Sequence, residues 1–223
     1  MTHVSINQSP GPNYRHRSTW SEKTQERASR IVSRYPERRS AVMPLLYLAM
    51  TEEGYLTEEG MEEVARWCAI TPAQVYAVAT FYTMYKREPV GRYLISCCTS
   101  ISCMLLGADE VLHAIEDISG VPHGETDEEG LVSVEHAECI GACGGAPAVQ
   151  VNYELIEGVT PQKARELVEW LRAAQPEVLN GDEMQQLFGS RRSFDWGIRE
   201  EEGAVGPYPA FGPLGTVGRE GET

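Results

Sequence analysis

The sequence predicts a mixed chain of α+β to α/β class: an N-terminal helical bundle, then a small mixed sheet with helices, with extended irregular termini. Three observations lead there. Apolar residues recur at helical spacing between residues 38 and 86. The grammar then changes to short β-rich runs separated by turn residues. The 21 Gly and 13 Pro in 223 residues mark substantial irregular chain.

Residues 1–30 mix Ser, Pro, Gly, Asn and charge with little periodicity, and are expected to be a flexible or partner-bound arm. In the helical segment, Val42, Leu45, Leu46 and Ala49 share one face and a turn follows at Glu53-Gly54. Thr57 caps a second helix, with Glu58 and Glu59 beside its positive end. Met61, Val64, Ala65 and Cys68 line that helix. Thr71-Pro72-Ala73-Gln74 starts a third: a capping threonine, a proline in the first turn, and a glutamine placed to close a capping box. Val75, Val78, Phe81 and Tyr85 are expected on its inner side.

Lys86 to Val90 reads as a hinge. Arg92 to Cys97 reads as a strand, and a helix carrying Ala108, Val111, Leu112, Ile115 and Ile118 starts just after Cys103, ending at Gly120 and Pro122. Short strands are expected at 131–135, 148–151 and 155–156, and Thr160-Pro161 opens a last helix with Ala164, Leu167, Val168 and Leu171 inward. The order is β-α-β-β-β-α. From Gln175 order is expected to fade. Residues 203–223 hold nine Gly or Pro, yet Phe194, Trp196, Tyr208 and Phe211 suit anchors on a partner. The division is thus 1–30 arm, 31–88 helical domain, 89–175 sheet domain and 176–223 Gly/Pro-rich extension.

The net charge of −14 excludes a basic footprint for nucleic acid and suits no anionic membrane surface; solubility or a basic patch on another protein fits better. The N-terminus lacks the apolar stretch of a signal peptide. The longest apolar run, Ala41 to Met50, contains Pro44 and falls short of the roughly 20 residues that cross a bilayer. A soluble, cytoplasmic chain is expected, where clustered cysteines are metal ligands or redox centres more often than disulfides.

Four of the six cysteines form two pairs, Cys98-x4-Cys103 and Cys139-x3-Cys143, with 35 residues between them. A two-iron centre takes two thiolates per iron, so two pairs supply it, and the small residues around them let backbone N–H groups approach the sulfurs. Structural zinc accepts similar spacing, and two disulfides satisfy the same count. A dithiol oxidoreductase is disfavoured, since no C-x2-C pair is present. Cys97 should face away from Cys98 across the strand, and Cys68 sits on an apolar helical stripe; both read as core. Between the pairs lie ten Asp or Glu and no Lys or Arg, either a solvated face or a field that lowers the reduction potential. His113, His123 and His136 in that stretch read as surface residues.

Cys98-Thr99 to Cys103, Leu105-x-Gly107, and Glu138-Cys139-Ile140-Gly141-Ala142-Cys143-x-x-Ala146-Pro147 closely resemble the thioredoxin-like 2Fe-2S subunits of bacterial NADH–quinone oxidoreductase, respiratory complex I. Relatives of that family serve NAD-linked hydrogenases and formate dehydrogenases. Val78-Ala79-Thr80-Phe81-Tyr82 and Thr160-Pro161 also look like family signatures, and the resemblance covers about residues 30 to 173. Cys97 departs from the family's usual aliphatic residue, and Tyr153-Glu154 from its commoner acidic turn. The resemblance implies a thioredoxin-like 2Fe-2S ferredoxin domain and one 2Fe-2S cluster on Cys98, Cys103, Cys139 and Cys143. It implies single-electron exchange with FMN during NADH oxidation, and a larger flavoprotein partner that carries the FMN and binds NADH. It also implies neighbouring peripheral-arm subunits and a place on the cytoplasmic face of the inner membrane. No complete active site is expected on this chain alone: it lacks a Gly-rich dinucleotide fingerprint and should bind neither NADH nor FMN itself. A zinc-stapled interaction module is the rival of a different class.

Overall fold

The computed structural model describes residues 18–193 and 203–208. Most of the predicted arm, and Phe194, Trp196 and Phe211 of the tail, lie outside the described residues. The chain divides into two compact units, 1–88 and 89–223.

In the first unit, α1 spans Glu22–Val32, with the Ser21 hydroxyl accepting from the Thr24 N–H as its cap. This helix overlaps the segment expected to be irregular. Its inner stripe is Thr24, Ala28 and Ile31, so the helical period carries little apolar signal. Thr24 is held instead by a hydrogen bond from its hydroxyl to Glu52 Oε2, 2.8 Å. α2, Val42–Glu53, buries every residue from Leu45 to Met50, and Gly54 ends it in the left-handed conformation. Pro44 falls in its first turn, where its missing N–H removes no helical bond. α3, Glu58–Cys68, is capped by the Thr57 hydroxyl and buries Met61, Val64, Ala65 and Cys68. α4, Pro72–Phe81, shows both halves of the Thr71–Gln74 capping box.

The expected inner stripe of α4 is corrected. Only Val75 and Ala79 are buried on that helix, and Phe81 is 76% exposed. The helix stops at Phe81, so the period no longer places Tyr85. That side chain is buried from outside the helix, its ring 5.0 Å from Tyr47 and its hydroxyl donating to the Met43 carbonyl.

The second unit is built on a five-stranded sheet. Its strands are β1 (Tyr93–Cys98), β2 (Glu125–Thr126), β3 (Val132–Ala137), β4 (Ala148–Val151) and β5 (Glu154–Glu157), in the order β2-β3-β1-β4-β5. β1 and β3 are parallel and the other neighbours antiparallel. A parallel pair needs a crossover. α5 (Ile101–Leu105) and α6 (Ala108–Ser119) provide it, and α6 packs on β1, β3 and α7 (Pro161–Ala174). The Thr160 hydroxyl caps α7. Asn152 and Tyr153 both take positive φ, as a two-residue hairpin between β4 and β5 requires. Asn152 is buried there and bonds both ways, Oδ1 accepting from the Leu94 N–H and Nδ2 donating to the Arg92 carbonyl.

Two differences from the predicted β-α-β-β-β-α order stand out. β2 is two residues long, too short for an alternation to register. More important, order does not fade at Gln175: α8 runs Gly181–Phe188 against β5, and Leu179, Met184, Phe188 and Ala204 join the core of the sheet. Only Met184 and Phe188 of α8 are apolar and buried, a stripe too sparse to read as a helix in sequence. Among the described residues, no helix is long and apolar enough to cross a membrane.

Candidate metal centre

Three segments meet at one end of the sheet. Cys98 is the last residue of β1. Cys103 lies inside α5 rather than ahead of a helix, one short helix earlier than the sequence spacing suggested. Cys139 follows β3 in a loop, and Cys143 opens a single 3-10 turn, Cys143–Gly145, that leads into β4. Gly141 between them has φ +87°, a conformation that side chains with a Cβ rarely adopt, and so the loop can reverse within three residues.

The two pairs differ in exposure. Cys98 and Cys103 are 3% and 2% exposed, whereas Cys139 and Cys143 are open to solvent. Small residues wall the buried pair: Ala108, Ala146 and Ala148 are buried with it, and Ile140, Ala142 and Leu155 pack alongside. The Cys98 thiol points its Sγ at the Glu138 carbonyl, 4.0 Å away, so the backbone just before Cys139 reaches the first pair.

Electrostatics ties a third sulfur in. Burial pushes the Cys103 thiol up to about 11; a hydrogen bond from the Ala148 backbone pulls the other way, and Cys98 and Cys143 push it up further. As thiolates, Cys98, Cys103 and Cys143 would repel one another. A cation among them reverses that balance, since metal coordination deprotonates a thiol outright. The structure thus buries Cys98 and Cys103 together, with Ile140 and Ala142 of the loop that carries Cys139 and Cys143 packed alongside. Among the described residues, no three Cys, His, Asp or Glu side chains close around a single ion. A two-iron centre asks for pairs of sulfurs, two to each iron, and so suits this donor set.

The other two cysteines lie in the cores. Cys97 is fully buried; its thiol is pushed up to about 12, first by burial and then by the neighbouring Cys98, Cys103, Asp109 and Glu116. Its Sγ donates to the Ala108 carbonyl at 3.8 Å. Burial likewise pushes the Cys68 thiol up to about 12, against the opposing pull of Arg38. His113, His123 and His136 are all exposed. His123 pairs with Glu116, Nδ1 to Oε1 2.6 Å. Of the ten carboxylates between the cysteine pairs, most face solvent, including Asp109, Glu110, Asp117, Glu128 and Glu129.

Two features were missed in the sequence. Ile101, Met104, Leu105 and Leu106 are 68%, 44%, 74% and 52% exposed, an apolar surface on and beside the helix that carries Cys103. The run Met104-Leu105-Leu106 was the available signal. The second is the segment Ser190–Ser193, which folds back on the Cys143 turn and which no local pattern announces.

Residues 28–172 match the model of the family described as Thioredoxin-like [2Fe-2S] ferredoxin. The chain belongs to this family. The cofactor of a thioredoxin-like [2Fe-2S] ferredoxin is a [2Fe-2S] cluster, which the thiolate pairs above fit. The ferredoxin is 45% identical over 151 residues to an NADH-quinone oxidoreductase subunit of Mycobacterium tuberculosis, a match spanning 68% of this chain and 60% of that one. It is 38% identical over 150 residues to an NADH-quinone oxidoreductase subunit of Rhizobium meliloti, covering 67% of this chain and 89% of the relative. It is 41% identical over 144 residues to an NADH-quinone oxidoreductase subunit of Thermus thermophilus, covering 63% and 80%. In fold, the ferredoxin is similar to a chain of the NAD+-reducing [NiFe]-hydrogenase in its air-oxidised state, with TM-score 0.53 and 20% identity over 59% of this chain and 23% of that one.

Proposed function

We propose that this ferredoxin is the electron-transfer subunit of an NADH–quinone oxidoreductase, working beside a flavoprotein that carries FMN and binds NADH. The observation that carries the reading is the packing of the Cys139–Cys143 loop, through Ile140 and Ala142, on the cluster of buried residues that holds Cys98 and Cys103, in a chain 38–45% identical to subunits of that enzyme. Cys98, Cys103, Cys139 and Cys143 hold the cluster. When bound, the cluster supplies a one-electron store for exchange with the flavin. The protein's share is to hold and insulate. The buried pair and its alanine wall keep water from one side of the site, and the exposed pair leaves the other side open to a partner.

The apolar surface of Ile101, Met104, Leu105 and Leu106 lies on and beside the helix that carries Cys103. Apolar area of this kind marks protein contact more often than it serves a free monomer. It supports docking of the flavoprotein over the cluster end, with other peripheral-arm subunits around it, on the cytoplasmic face of the inner membrane. Residues 31–88 serve as a helical bundle domain, and the cluster domain begins at residue 89. In place of an end at 175, it continues through α8. Nucleic acid has no role in this reading.

The hydrogenase-type assembly keeps the same chemistry, but its likeness here is one of fold, whereas the oxidoreductase relatives match over two thirds of the chain or nearly so. Purification of the tagged full chain from its host tests the reading. An FMN-containing flavoprotein with NADH-dependent reduction of the chain's visible chromophore is expected. A chain that co-purifies with no flavoprotein, or with a hydrogenase, contradicts it.

A further inference from the structure

The family match ends at residue 172, yet the chain beyond it returns to the second cysteine loop. Ser190 donates from its N–H to the Glu157 carbonyl, 3.2 Å, and from its hydroxyl to the Gly158 carbonyl, 2.5 Å. The Ser193 N–H and hydroxyl both donate to Glu157 Oε1. Gln185 of α8 grips the same strand end, Oε1 accepting from the Glu157 N–H at 2.7 Å and Nε2 donating to the Glu157 carbonyl at 3.2 Å. Arg191 then reaches across: its Nη2 donates to the Ala146 carbonyl at 2.8 Å. Ala146 is three residues beyond Cys143 and donates its N–H to the Cys143 carbonyl.

Packing shows how closely this segment fits. A Cβ on Gly145 would overlap the Glu157 carboxylate, and one on Gly144 would stand 3.0 Å from the Ser193 hydroxyl. The glycines after Cys143 thus leave the space that Glu157 and Ser193 fill. Glu157 is 5% exposed, so its side chain is committed to this contact rather than to solvent.

We propose that Ser190–Ser193 is a strap that locks the turn carrying Cys143, and that Arg191 within it is a positioning residue that raises the electron affinity of the cluster site. The inference rests on the reading that the four cysteines hold a [2Fe-2S] cluster. Three residues of chain span at most about 10 Å, which keeps the carbonyl that Arg191 grips near Cys143. That is comparable to the Debye length of about 8 Å at physiological salt, so a fixed positive charge there is felt at the site. Added positive charge favours the reduced form of an electron acceptor. It offsets part of the acidic field of the segment between the cysteine pairs.

The test uses the full chain and four variants: Arg191→Ala, Arg191→Gln, Arg191→Lys and Ser193→Ala. In the apo chain, hydrogen exchange of the peptide covering Gly144–Ala146 reads the strap alone. About tenfold faster exchange is expected in Arg191→Ala and Ser193→Ala, and unchanged exchange in both overturns the strap. In the cluster-loaded chain, redox titration followed by electron paramagnetic resonance reads the charge. At a fixed electrode potential the ratio of reduced to oxidised cluster should fall about threefold in Arg191→Ala and Arg191→Gln, roughly 30 mV at about 59 mV per tenfold for one electron. Arg191→Lys should stay with the wild type. Coincident titrations for all variants, or a Lys variant shifted as far as the Ala variant, overturn the role of Arg191. A wild type without iron overturns the cluster reading, and the electron-affinity role with it, while the exchange arm still decides the strap.

Discussion

Cys98 and Cys103 are buried together in an alanine-walled corner that solvent hardly reaches. Cys139 and Cys143, the other half of the set, face outward. Thiol chemistry follows exposure and thiolate character, so the six cysteines should fall into separate classes. In the native apo chain, titration with a disulfide reagent at neutral pH is expected to modify two thiols quickly and four slowly. The cluster-loaded chain should show no fast thiols, and the unfolded chain six. Mass mapping should place the fast label on Cys139 and Cys143. Fast label on Cys97 or Cys68 would contradict the burial described above.

Leu105 is 74% exposed and sits on the helix that carries Cys103. Substitutions at exposed positions usually change stability by no more than about 0.5 kcal/mol, and a cation suits the last turn of a helix. Leu105→Lys should therefore leave the unfolding midpoint and the iron content in place. It should weaken flavoprotein binding at least tenfold, because it puts a charge into a contact that must be desolvated. Surface plasmon resonance or co-purification reads the effect. Unchanged affinity would move the partner surface elsewhere.

Cys68 supplies a dependence on alkaline pH. Burial raises its thiol from 9.0 to about 12. A raised acid contributes stability that is complete below the unfolded value, and that stability is lost as pH climbs through the folded value. Stability of the helical unit should thus fall between about pH 9 and 12. Cys68→Ala should flatten that slope, at a packing loss of about 1 kcal/mol near neutrality. Tyr47, raised to about 12 by burial, adds to the same slope and remains in the variant. Urea titrations at a series of pH values measure both effects.

Much of this was legible in sequence where the signal is local. Thr57, Thr71 and Thr160 cap their helices because a hydroxyl three residues ahead of a free N–H needs nothing from the rest of the fold. The cysteine pairs carry their own spacing, and Cys97 and Cys68 fall into the cores because neighbours of fixed period place them there. What the sequence hid depends on distant partners. α1 is held through Thr24 to Glu52, 28 positions away, and α8 through Gln185 to Glu157, again 28 positions away. Neither helix has enough apolar residues to announce itself. Phe81 faces outward, and Tyr85 is buried from beyond the helix, because α4 stops at Phe81, which the period alone does not record. The unequal exposure of the two cysteine pairs follows from α5 folding Cys103 inward, a packing outcome that spacing cannot express.

The most direct measurement is the metal content of the purified full chain with its paramagnetic resonance after reduction. Two iron and two acid-labile sulfide per chain are expected, with a one-electron signal that disappears in Cys98→Ser and Cys139→Ser while the helical unit stays folded by circular dichroism. A colourless chain with stoichiometric zinc and no iron, or serine variants that keep the native visible spectrum, would contradict the account.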